Sequence, residues 1–68
     1  MRNQTILDSI RCIIDYADEI KASGDTGEYA QGRLMGLCEA LSILKTDFVG
    51  VEDVENLLDF DIDQKYLL

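Results

Sequence analysis

Three aspartates at alternate positions, Asp59, Asp61 and Asp63, are the most chemically suggestive residues of the chain. Oxygen ligands at this spacing open a twelve-residue calcium-binding loop. The pattern fails at its next requirements. Gln64 stands at the sixth position, where a glycine must turn the chain, and the twelfth, where a bidentate glutamate belongs, falls beyond Leu68. The three carboxylates therefore read as a solvated acidic face, and no metal is expected.

Other candidate chemistry is equally sparse. Cys12 and Cys38 lie 26 residues apart with no CxxC pair, and the chain has no histidine. A structural zinc site draws its four ligands mainly from those two residue types, so the cysteines read as reduced thiols near helix faces. Without histidine, a catalytic base must come from a carboxylate, lysine, tyrosine or metal, held in a cleft that shifts its pKa. A chain of 68 residues has little interior from which to carve one.

Phosphate-cradling loops and nucleophile elbows are absent from the sequence. Asp8-Ser9-Ile10 is similar to the Asp-Ser-Leu triplet that carries the prosthetic arm of acyl-carrier proteins. There, however, the serine opens a helix after a long loop, whereas here the triplet falls inside the first predicted helix. No catalytic residue and no cofactor are expected, and the chain reads as non-enzymatic.

Charge points to a partner. Fourteen Asp and Glu face six Lys and Arg, a net charge of −8. Affinity for phosphate backbones comes from basic side chains, so a direct nucleic-acid ligand is not expected. The imbalance is concentrated: residues 47 to 68 hold seven carboxylates against Lys65 alone, a net of −6, and the first 46 residues account for −2. Glu52, Asp53, Glu55, Asp59, Asp61 and Asp63 are the candidate partner-binding residues, offered to a basic protein surface.

The elements that must position them read as helices. Ile6, Ile10, Ile13, Ala17 and Ile20 recur at spacings of 4, 3, 4 and 3, one stripe of a helix over 5–22. Thr5 with Asp8 suggests a capping box, and Gly24 a C-terminal stop. Asp25 or Thr26 is then expected to cap a helix over 27–46, whose Ala30, Leu34, Leu37, Leu41 and Leu44 repeat the same spacing. Two matched stripes joined by a short polar turn predict an antiparallel helical hairpin. A short third helix over 51–59 turns Val51, Val54, Leu57 and Leu58 inward, and an acidic tail over 60–68 follows. If extended, the tail sets its aspartates on one side and Phe60 and Ile62 on the other. The fold class is all-α, in a single domain.

Each long helix has more apolar surface than one contact requires. On the second, Tyr29, Gly32, Gly36, Ala40 and Ile43 form a second column beside the leucines. Two glycines inside a helix cost about 1 kcal/mol each relative to alanine, which suggests a close approach of something to the backbone there. Either a second copy or partner lies on this column, or the first helix or the tail covers it. A domain this small is marginal by itself, so dimerisation of two hairpins into a four-helix-type bundle is a natural outcome. Arg33, at the edge of the leucines, is expected to lay its stem on the core and extend its guanidinium outward.

Met1-Arg2-Asn3-Gln4-Thr5 is followed by no signal-peptide apolar region, and no apolar run reaches membrane-spanning length. A cytoplasmic protein without membrane contact is expected. The functional expectation is a regulator or inhibitor that presents carboxylates to a basic protein, in its sharpest form by nucleic-acid mimicry in the manner of small phage-encoded inhibitors. The alternative is a self-assembling structural homodimer.

Overall fold

The computed structural model of the chain describes residues 3–68, apart from the side chain of Asn3. Met1 and Arg2, which enter the reading of the N-terminus, lie outside the described residues. The fold is all-helical: α1 spans Asn3–Ser23, α2 Glu28–Asp47, α3 Glu52–Leu57 and α4 Ile62–Tyr66. Among the described residues no helix is long and apolar enough to cross a membrane.

Helices α1 and α2 pack against each other as the predicted hairpin. From α1, Leu7, Ile10, Ala17 and Ile20 are buried, and from α2, Ala30, Leu34, Cys38 and Leu41. Ile6, Ile13, Ile14, Leu37 and Leu44 pack partly buried around them. The stripes are thus broad because each long helix has more than one neighbour: α1 packs against α2, α3 and α4, and α2 against α1 and α4. Leu7 turns toward the side where α3 lies against α1, while Cys38 sits on the side of α2 that α4 covers.

The turns differ from the sequence reading in their chemistry. Helix α1 begins at Asn3, so Thr5 lies within it; its carbonyl receives a hydrogen bond from the Ser9 hydroxyl, and no capping box forms there. Gly24 ends α1 as expected, with φ at 71°, a left-handed conformation that costs glycine little. The N-cap of α2 is Gly27, not Asp25 or Thr26. Asp25 instead folds the turn upon itself: its carboxylate accepts from the Gly27 amide at 2.8 Å, and its carbonyl accepts from the Gln31 side chain at 3.1 Å.

After α2, Gly50 at φ 92° reverses the chain into α3. This helix is shorter than the predicted 51–59, because Leu58 leaves it to become fully buried beside Val54. The acidic end of the chain is not an extended strip. Residues 62 to 66 wind into α4, which lays Ile62 and Tyr66, four residues apart on one face, into the core. Phe60 joins them from the turn, its ring edge-on to Tyr66 at 6.3 Å.

Candidate functional site

All six candidate partner-binding carboxylates, Glu52, Asp53, Glu55, Asp59, Asp61 and Asp63, are exposed. The fold divides them. Asp53 borders a shallow hollow with Leu7 and Arg11 of α1, whereas Asp59, Asp61 and Asp63 line another beside Ser42 and Lys45 of α2. The three aspartates of the original alternation thus share one concavity. Among the described residues, no three cysteine or carboxylate side chains converge in a way that would hold a metal ion.

Among the described residues no lysine forms an ion pair with these acids, although Lys45 shares the hollow of Asp59, Asp61 and Asp63. Lys45 donates from Nζ to the Phe60 carbonyl at 2.8 Å. Lys65 approaches Asp18 of α1 at 3.7 Å and lies over the rings of Phe60 and Tyr66, at 4.7 and 5.3 Å. Among the described residues the ion pairs are Lys65–Asp18 and Arg11–Asp8, and neither engages one of the six. Asp61 has a second duty: its Oδ1 accepts from the Gln64 amide at 3.1 Å, capping α4.

The residues expected to mediate self-association lie toward solvent on α2. Tyr29 is 81% exposed and Ile43 59%, while Gly32 and Gly36 are exposed and Ala40 half-buried. A Cβ added at either glycine would meet nothing within 4 Å. Neither α1 nor the acidic end covers Gly32 or Gly36, so intrachain packing does not account for the two glycines. Tyr16 of α1 stands at their edge, 50% exposed, and shares a shallow apolar hollow with Arg33, Gly36 and Leu37. Arg33 is exposed, and its guanidinium carbon lies 5.9 Å from the centre of the Tyr29 ring, an aromatic neighbour where the sequence reading placed water or an acid.

One cluster escaped the sequence reading. Tyr66 donates its hydroxyl hydrogen to Asp18 at 2.6 Å, and Lys21 donates to the Tyr66 carbonyl at 3.2 Å. Burial raises the Tyr66 pKa well above the usual tyrosine value, reinforced by the hydrogen bond and charge of Asp18. Burial, followed by the Asp63 carboxylate, likewise raises the Cys38 thiol above its usual value of about 9. The available signal was the four-residue spacing of Ile62 and Tyr66, with Asp18 and Lys21 flanking the apolar stripe of α1. The contacts of Tyr66 with Asp18 and Lys21 join the last helix to the first. Comparison with models of protein families, with curated proteins and with solved structures finds no match.

Proposed function

We propose that this chain is a small non-enzymatic protein-binding module, a regulator or inhibitor whose α3–α4 segment presents carboxylates to a basic surface on a protein partner. The observation that supports this best is that Glu52, Asp53, Glu55, Asp59, Asp61 and Asp63 are exposed while the neighbouring Lys45 and Lys65 bond elsewhere. A surface of net negative charge accelerates encounter with one of positive charge. Two faces of the segment take part, with Asp59, Asp61 and Asp63 on the α2 side and Asp53 on the α1 side. Carboxylates so arranged can occupy sites that otherwise hold phosphates, the basis of nucleic-acid mimicry.

Affinity capture tests this with the wild type beside a variant neutralised at all six positions. The basic proteins retained should fall away between about 50 and 500 mM salt, over which the Debye length shrinks severalfold. They should also be missing from the neutralised variant. A yield indifferent to both changes refutes the electrostatic mechanism.

A second reading, compatible with the first, is self-association through α2. It is favoured by the open space over Gly32 and Gly36 and by the symmetry of the column around them. Tyr29, Gly32, Gly36, Ala40 and Ile43 stand at −7, −4, 0, +4 and +7 from Gly36, large at the ends and small in the middle. An antiparallel copy related by a two-fold axis at Gly36 sets Tyr29 against Ile43 and Gly32 against Ala40, as an isologous interface requires. Gly36→Leu should abolish a dimer in sedimentation while leaving the chain helical. A wild type sedimenting as a monomer at micromolar concentration removes this reading.

A further inference from the structure

We propose that the segment from Asp59 to Leu68 is a releasable strap, closed across α1 and α2 in the structure, which opens as one unit and uncovers Cys38 while the hairpin stays folded. Its internal bonds make it a unit. Asp61 caps α4 through the Gln64 amide, the Lys65 and Leu67 amides donate to the carbonyls of Asp61 and Asp63, and Phe60 packs edge-on to Tyr66. Its ties to the hairpin are different in kind. Among the described residues, no backbone hydrogen bond joins it to α1 or α2.

What holds it closed is the burial of Ile62 and Tyr66, together with four polar contacts to side chains of the hairpin: Tyr66 with Asp18, Lys65 with Asp18, Lys21 with the Tyr66 carbonyl, and Lys45 with the Phe60 carbonyl. The Asp18–Lys65 pair is about half exposed on both sides, so it holds weakly. Segments secured by few buried side chains open at lower free energy than the whole fold. α4, at five residues, also has no stability as a helix once it leaves the hairpin.

Cys38 reports the opening. It is 2% exposed, and the groove along its flank is walled by Met35 and Ser42 of α2 and by Asp63 and Leu67 of the strap. Cys12, exposed on α1, is removed as Cys12→Ser so that a single thiol is read.

Reaction of that chain with an aromatic disulfide reagent should proceed at a rate nearly independent of urea well below the global unfolding transition, since local opening exposes little surface. Tyr66→Phe should speed the reaction severalfold, up to about tenfold, with the same shallow urea dependence. A rate that climbs with the full urea slope of global unfolding overturns the proposal. Amide exchange of the wild type decides the matter independently of any variant. Lys65 and Leu67 should exchange at least about tenfold faster, relative to their intrinsic rates, than Leu41 of α2. Equal protection of the three refutes a separate strap.

Discussion

Tyr66 donates its hydroxyl hydrogen to Asp18 at 2.6 Å, joining the end of the chain to the first helix across 48 residues of sequence. The tyrosine is 1% exposed, so its ring contributes core volume and its oxygen serves as the polar tether. Two kinds of stabilisation meet in one side chain.

Tyr66→Phe keeps the ring and removes the tether, and should cost about 0.5–1.5 kcal/mol in urea denaturation at neutral pH. The pH dependence has a definite sign. Because the folded-state pKa is raised, the contribution of Tyr66 is complete below the unfolded value of about 10 and is lost as pH climbs above it. The stability gap between wild type and Tyr66→Phe should therefore narrow between pH 9 and 11, roughly the range in which an unfolded tyrosine ionises. A gap that widens over this range contradicts the assignment.

The glycines should answer in opposite directions. Gly32→Ala places a methyl in open space on a helix and should stabilise the monomer by about 0.5–1 kcal/mol through propensity. Gly24→Ala should destabilise by about 1 kcal/mol, because φ at 71° is strained for a residue with a Cβ. Thermal unfolding by circular dichroism at low protein concentration measures both.

Asp61 combines a cap with a candidate partner contact, and two substitutions separate these roles. Asp61→Asn retains a capping oxygen and should keep stability within about 0.5 kcal/mol, whereas Asp61→Ala should lose roughly 1 kcal/mol. Retention of a basic partner should weaken similarly in both, since both remove the charge. If only Asp61→Ala weakened capture, the carboxylate would be acting through the fold alone.

Leu58, fully buried after α3, should be among the least replaceable residues. Leu58→Ala should cost about 2–5 kcal/mol, a large part of the stability of a domain this size. Loss of the cooperative urea transition, or its displacement to much lower urea, would show this. A shift smaller than that of Gly24→Ala would mean that the site collapses around the missing atoms.

The long helices were legible because Ile10, Ala17 and Ile20, and Ala30, Leu34 and Leu41, repeat often enough to mark a face. What lay beside that face was harder to read. Leu7 is deeply buried where Ile6 is only partly so, and Cys38 where Leu37 is, because α3 and α4 choose which flank of each stripe is closed. α4 itself is five residues long, too short for a period to emerge, and the alternation of Asp59, Asp61 and Asp63 imposed a period of two upon it. The carboxylates were identifiable by type as surface residues. Their division between two sides of the hairpin depends on how the chain turns at Gly50 and Leu58, which single-residue chemistry does not encode.

The two sulfurs occupy different worlds: Cys12 looks into solvent from α1, and Cys38 lies beneath the surface of α2. While the native packing holds, only the first of them meets reagents from the medium. An oxidant in the surrounding medium would therefore stitch two molecules together through the thiols of their first helices, and leave the buried sulfur of each untouched.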